Sequence, residues 1–284
     1  MRAFAPAHIT GFFVVREDAD PLKTGSCGAG LSLDDGVFTG VYPSDRTEIF
    51  LNGEPCDAAT TASVVRMLTD RPVRVESRLA IPVGGGLGAS AAGAVSTALA
   101  LNERLGLRKT MNELLYAAHV AEVENRTGLG DVAGMSGGGV EIRTAPGVPF
   151  AVDRIPVPPT YVYYVHFGPV STKGVLSDEK EKAVINEAGR KCLKDLLRKP
   201  TLDELMRLSR SFAVETGLIS PRALGAVEAV ESHGGMASMA MLGDTVFATA
   251  PDGLAEFGEV RRSAINMTGP RLAGDGLPGF FNVS

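Results

Sequence analysis

The segment Pro82-Val83-Gly84-Gly85-Gly86-Leu87-Gly88-Ala89-Ser90-Ala91-Ala92 constrains this chain more than any other. The alternation of Val73-Arg74-Val75-Glu76-Ser77-Arg78-Leu79-Ala80-Ile81 predicts a half-buried strand leading into it. A helix-forming run leaves it, from Ser90 to about Leu105, and Gly106 closes that run. A helix start offers unpaired N–H groups and about half a unit of positive charge, and glycine lets backbone approach an anion closely. Strand, glycine bend and helix together predict a phosphate cradle. The bend is not a Walker A loop, because no lysine lies between Ile81 and Arg104. Gly86, Gly88 and Ala91 match G-x-G-x-x-A by letter. That dinucleotide fingerprint needs a second strand ending in an acid roughly 20 residues on, where 107–125 reads as helix. A tight turn with no ligand is the other alternative.

Glycine is in excess along the whole chain, 34 of 284 residues, about 12% against an average near 7%. Its clusters (Gly25, Gly28, Gly30; Gly84–Gly88; Gly128, Gly130, Gly134, Gly137–Gly139) punctuate apolar segments, which points to turns and close approach. The length suits one large domain or two moderate ones. With 44% apolar and 21% charged residues the chain is an ordinary globular one. A net charge of −5 and the absence of a basic stretch argue against a nucleic-acid partner. Cys27, Cys56 and Cys192 lie far apart with no C-x-x-C, which predicts a reducing, cytoplasmic setting and no structural zinc. Ala89–Leu101 is too short for a bilayer, and Pro6, His8 and Gly11 interrupt the N-terminal apolar run, so neither a membrane span nor a signal peptide is expected.

Strands are predicted at 2–15, 37–42, 45–51, 73–81, 138–145 and 160–168, and helices at 90–105, 112–125, 177–198, 202–216 and 221–233. Residues 236–242 and 245–249 read as a hairpin across Gly243-Asp244. A helix near 252–264 and a Gly/Pro-rich tail follow. Pro156-Val157-Pro158-Pro159 is the predicted boundary between domains 1–155 and 156–284, and strands and helices mixed in both halves indicate an α+β class.

A second constellation lies in Ala118-His119-Val120-Ala121-Glu122 through Gly128-Leu129-Gly130-Asp131. Phosphoryl transfer needs a divalent ion, charge stabilisation and a group that orients the attacking hydroxyl. Glu122 shares a helix face with Leu115, Ala118 and His119, so it, rather than Glu124, is the inward carboxylate. Asp131 is exposed by its flanking glycines. Ordinary alternatives are a solvated glutamate and an Asx turn or helix cap. Ser90, in the first helical turn, can cap the helix or reach magnesium.

P-x-x-x-G-L-G-A-S-A-A resembles the phosphate loop of the GHMP kinases, the superfamily of galactokinase, homoserine kinase and mevalonate kinase. The resemblance implies that Gly84, Gly85, Gly86, Leu87, Gly88, Ala89, Ser90 and Ala91 wrap the phosphates of ATP. It implies that Ser90 and Glu122 hold Mg2+ and that Asp131 is the catalytic base, although Glu122 and Asp131 are nine residues apart where mevalonate kinases have eleven. T-G-L-G-D-V, the opening A-F-x-P-A-H-I-T-x-F-F, D-P-L…G-S-x-G-A-G, G-G-x-E-I-R and M-L-G-D-T-V-F-A resemble a narrower branch, the archaeal pantoate kinases. That branch implies a ribosomal-protein-S5-like first half, a ferredoxin-like second half, and ATP-dependent phosphorylation of pantoate on the archaeal route to coenzyme A. Other GHMP kinase acceptors and a ligand sensor without turnover are the alternatives.

Pantoate is a small carboxylate, so its pocket needs a cation or N–H donors. His8, Lys23, Arg126 and Arg143 are the candidates. Gly234-Gly235 falls where the family has a third glycine motif, and also reads as a plain helix stop. Dimers are common in the group, but no stripe in this sequence identifies a homodimer surface.

Overall fold

The computed structural model describes residues 2–168 and 178–274. The tail at 275–284 and the predicted helix start at 177 lie outside the described residues. Two long strands, β1 (Arg2–Arg16) and β2 (Gly25–Pro43), pair antiparallel and organise the first sheet. The second half of β2 pairs with β5 (Val73–Leu79) and its first half with β6 (Val140–Ala145). β3 (Glu48–Leu51) runs parallel to β5, and β4 (Glu54–Pro55) pairs with β3. β7 (Ala151–Ile155) adds to β6, and β12 (Arg271–Ala273) adds to β1, making eight strands. A second sheet has the order β11-β8-β10-β9, from β8 (Tyr161–Gly168), β9 (Ala237–Met239), β10 (Asp244–Ala248) and β11 (Arg261–Ala264). The chain changes sheet at the predicted proline break, but β12 and a bridge from Leu33 to Ile265 carry it back to the first.

Four helices accompany the first sheet: α1 (Ala59–Leu68), α2 (Ala89–Leu105), α3 (Met111–Asn125) and α4 (Asp131–Met135). Every residue of α2 from Ala91 to Leu101 is buried, as befits a helix that is apolar all round. Its interior hydroxyl Ser96 is satisfied by Thr39, 2.7 Å away. A capping box between Thr110 and Glu113 starts α3, setting the phase that turns Leu115, Ala118, His119 and Glu122 inward. α5 (Glu179–Arg198), α6 (Leu202–Glu215) and α7 (Pro221–Ser232) follow, with α5 and α6 lying against β1. Among the described residues no helix is long and apolar enough to cross a membrane.

The short strands β4, β7 and β12 were not expected, and three further departures have a clear physical reason. α1 was not anticipated, because Thr60, Thr61, Val64 and Val65 have low intrinsic helix propensity; burial of the two valines stabilises it instead. The Gly25–Gly30 cluster is strand, not loop: a methyl group at Gly28 or Gly30 would lie 2.2 Å from the carbonyl oxygen of Phe12 or Ile9, the close approach that glycine permits within a sheet. The helix expected at 252–264 is a single 3-10 turn, Leu254–Glu256, followed by β11. Gly253 and Gly258 leave too few residues between them for a stable helix, and pairing with β8 takes the rest.

Candidate active site

The glycine bend is built by alternation. Gly84, Gly86 and Gly88 have φ of +77°, +74° and +65°, the left-handed region where side chains are strained. Gly88 is the N-cap of α2 and supplies no side chain, so the first-turn N–H groups point into the bend without a cap. Three contacts hold the cradle. The Leu87 carbonyl accepts the His8 N–H at 3.1 Å. The Gly85 carbonyl accepts the Thr245 hydroxyl at 2.7 Å. Gly243 packs so closely that a methyl group on it would lie 2.2 Å from the Gly86 nitrogen.

Ser90 does not cap its helix. It donates to Glu122 Oε1 at 2.6 Å, and Thr127 donates to the same oxygen at 2.6 Å. Thr60 Oγ1 closes the ring, 3.2 Å from Ser90 Oγ and 2.9 Å from Thr127 Oγ1. Glu122 is 2% exposed, so the solvated-glutamate alternative is excluded. Its second oxygen faces Gly128, where a methyl group would lie 2.2 Å from Glu122 Oε2 and 3.2 Å from Asp131 Oδ2. Both carboxylates therefore line one small space.

Asp131 is the first residue of α4, and Gly130, not Asp131, is the cap. Its side chain is 24% exposed, and Oδ1 accepts His8 Nδ1 at 2.7 Å. Gly88 lies against both: a methyl group there would be 3.4 Å from His8 Cβ and 3.5 Å from Asp131 Cβ. The bend, the Ser90–Glu122 pair and Asp131 thus meet around two glycines.

The four basic candidates separate. His8 is fully buried with both ring nitrogens engaged, so it has no free donor for a substrate carboxylate. Lys23 lies exposed in the β1–β2 connection and Arg126 at the exposed C-cap of α3. Among the described residues no hydrogen bond joins either to Glu122, Asp131 or the bend. Arg143 is buried beside the site. It pairs with Glu141, and a methyl group at Gly130 would lie 3.0 Å from its Nε and 2.3 Å from Ser26 Oγ.

Sequence reasoning missed Thr60, Thr127, Thr245 and His166. Thr60 is a common residue type in no motif, and Thr127 opens T-G-L-G-D-V without its hydroxyl having been given a role. The other two come from the second sheet, where His166 Nδ1 lies 3.1 Å from Thr245 Oγ1, and a methyl group at Gly85 would be 3.0 Å from that nitrogen. The glycine that meets the bend is Gly243, whereas Gly234 (φ +82°) only stops α7.

A family model, GHMP kinases N terminal domain, matches residues 58–139, which include the bend, Ser90, Glu122 and Asp131. The chain is 38% identical to a pantoate kinase of Methanocaldococcus jannaschii, over 86% of this chain and 90% of that one. It is 38% identical to a pantoate kinase of Thermococcus kodakarensis, over 94% and 93%. This chain belongs to the pantoate kinase family of the GHMP kinases. A solved structure described as a phosphotransferase related to CoA biosynthesis pathway superposes with a TM-score of 0.84 at 32% identity, covering 95% of this GHMP kinase and 97% of that chain.

The donors present suit Mg2+. They are hard oxygens, a hydroxyl and a carboxylate, and Mg2+ in kinases takes few protein ligands because substrate phosphates and water supply the rest. Among the described residues no group of three His, Cys, Asp or Glu gathers as a complete cage. Burial pushes the Glu122 carboxyl up to about 7, against the hydrogen bonds of Ser90 and Thr127, and the Asp131 charge adds to the rise. A buried carboxyl of this kind is costly once ionised, so a cation beside it is favoured.

This shift has a consequence for the metal-free kinase. An acid whose folded value is raised binds its proton better when folded, so stability is full below about 4.5 and falls as pH rises through about 7. The loss is at most about 3 kcal/mol. Urea unfolding in chelator at pH 5 and pH 8 is expected to show it, and Glu122→Gln to flatten it. Equal slopes in both proteins would contradict the assignment.

Proposed function

We propose that this GHMP kinase transfers the γ-phosphoryl group of ATP to the primary hydroxyl of pantoate, giving 4-phosphopantoate and ADP in the cytoplasm. One observation carries the reading: the capless helix start, the Ser90–Glu122 pair and Asp131 converge around Gly88 and Gly128. The names of the relatives support pantoate as acceptor, on a route to coenzyme A.

Backbone N–H groups of residues 84–91 would hold the triphosphate. Ser90 and Glu122 would hold Mg2+, which when bound neutralises charge on the phosphate oxygens. Asp131 Oδ2, free of His8, takes or orients the hydroxyl proton. The hydroxyl oxygen forms its bond to the γ-phosphorus as the bond to the bridging oxygen of ADP breaks, in line. The substrate carboxylate would rest against Arg143 and Ser26 beneath Gly130, since Arg143 Nε has no hydrogen-bond partner among the described residues.

ADP release with MgATP and pantoate, mevalonate or homoserine tests the proposal. Pantoate is expected to exceed the others in kcat/KM by about 10²-fold or more, because a site built around polar groups rejects acceptors that leave them unpaired. Preference for another alcohol would make this a different GHMP kinase. Nucleotide binding with no ADP release would make it a ligand sensor.

A further inference from the structure

We infer that His8 is a positioning residue for Asp131, a buried imidazolium that holds the carboxylate in place. The inference deepens the kinase reading, because it takes Asp131 as the group facing the acceptor hydroxyl. It rests on the geometry of four side chains from three elements.

His8 Nδ1 lies 2.7 Å from Asp131 Oδ1, and Nε2 lies 2.9 Å from Glu141 Oε1. Ionised carboxylates only accept hydrogen bonds, and a neutral imidazole has one N–H to give. A neutral His8 would therefore turn a lone pair toward one carboxylate. An imidazolium donates to both. Arg143 donates to the same Glu141 oxygen, which is an acceptor on both sides. Arg143 Nη1 also lies 3.4 Å from His8 Nε2, where a neutral ring would accept from it, but Nε2 is closer to Glu141 Oε1, at 2.9 Å.

The charges point the same way. His8, Glu141 and Arg143 are all 1% exposed or less. With His8 protonated, Asp131, Glu141, His8 and Arg143 sum to zero; with it neutral, the cluster carries one uncompensated negative charge away from water. Burial lowers the His8 value, but the hydrogen bonds and charges of Asp131 and Glu141 outweigh it, and the net direction is upward. Among the described groups, Asp131 from α4 and Glu141 and Arg143 from β6 are the charges on the ring. Glu122 of α3 lies beyond Asp131 across Gly128, and β2 brings Gly30 and the register partner Ser32, neither of them charged.

The ring cannot swing away. A methyl group at Gly134 would lie 2.2 Å from Nε2, and one at Gly30 would lie 2.9 Å from it, so two glycine backbones press on the Nε2 end of the ring. The same residue ties the phosphate bend through its backbone N–H to Leu87. His8 thus holds the nucleotide cradle with its main chain and the acceptor-side carboxylate with its side chain. Asp131 Oδ1 is occupied, and Oδ2 is left for the substrate hydroxyl.

The first test needs no substrate and no turnover. Nitrogen NMR of the full chain with labelled histidine, at pH 8 and without ligands, reports each of the four rings. One imidazolium ring is expected at pH 8, and its signal is absent in His8→Asn. Four neutral rings at pH 8 would overturn the proposal and leave the kinase reading untouched, since that reading is decided by turnover.

The second test compares His8→Asn, which keeps a donor but no charge, with His8→Lys, which restores charge. His8→Asn is expected to lower kcat by about 10–10²-fold, to leave KM for ATP within about threefold, and to move the acid limb of kcat up by about one pH unit. His8→Lys is expected to return that limb toward its original position. Equal losses in both variants, with the acid limb unmoved, would show that His8 only fills space. Should both variants fail to fold, the NMR result alone decides.

Discussion

Replacing Asp131 by Asn is expected to lower turnover by about 10²–10⁴-fold, with ATP affinity nearly kept. Asparagine has the same shape, and its carbonyl oxygen can still accept from His8 Nδ1 where Asp131 Oδ1 does now. What it lacks is the ionised Oδ2, the oxygen that shares the Gly128 space with Glu122. The phosphates are held elsewhere, by main-chain groups of the bend and the uncapped start of α2, so nucleotide binding has little reason to change. Steady-state turnover with a separate nucleotide titration measures both quantities. The residual rate is expected not to recover at high pH, because an amide has no proton to lose. Turnover within threefold of the unsubstituted enzyme would remove Asp131 from the chemistry.

The second large effect is expected from a single methyl group. In Gly128→Ala the new carbon would lie 2.2 Å from Glu122 Oε2 and 3.2 Å from Asp131 Oδ2. Glu122 cannot simply rotate aside, because its other oxygen is held by Ser90 and Thr127 at 2.6 Å each. Either those bonds break or the two carboxylates separate. Turnover should fall by about 10²-fold, the usual cost of a displacement near 1 Å among reacting groups. The Mg2+ concentration for half-maximal rate should rise by about 10–100-fold, as when the groups orienting a metal ligand are disturbed. Overpacking should cost only about 1–3 kcal/mol of stability, so the protein remains folded. Gly106→Ala is the control: its φ of +64° imposes a backbone strain that Gly128, outside the left-handed region, does not have, yet nothing lies within 4 Å and it is remote from the site. Its turnover should be unchanged. A Gly128→Ala enzyme with an ordinary Mg2+ titration and ordinary turnover would dissolve the paired-carboxylate site.

Much of this site was legible before any fold. Glu122 was separated from Glu124 by helical phase alone, and the structure buries the first and exposes the second. The bend was legible because glycines between a strand pattern and a helix pattern admit few backbone paths. His8 was legible only as an oddity. Its partners Asp131 and Glu141 lie 123 and 133 residues away, and nothing local indicates that β1 and β6 flank the same stretch of β2. Gly243 was read as a hairpin turn, and its second role against Gly85 and Gly86 appears only when the two sheets meet. The 252–264 segment failed for the opposite reason, because an edge pairing with β8 overrode a weak helical pattern.

By itself the amino-acid order determined the phosphate bend, the inward carboxylate and the acid that follows it, since each depends on dihedral limits and side-chain phase over a dozen neighbouring residues. Only the tertiary structure decided which groups meet: that a histidine from the first strand stands between two acids, that an arginine lies buried under Gly130, and that Ser90 and Thr127, joined through Thr60, hold Glu122. Such pairings depend on which strands become neighbours. That choice is made by burial of the whole core, and no short stretch of sequence encodes it.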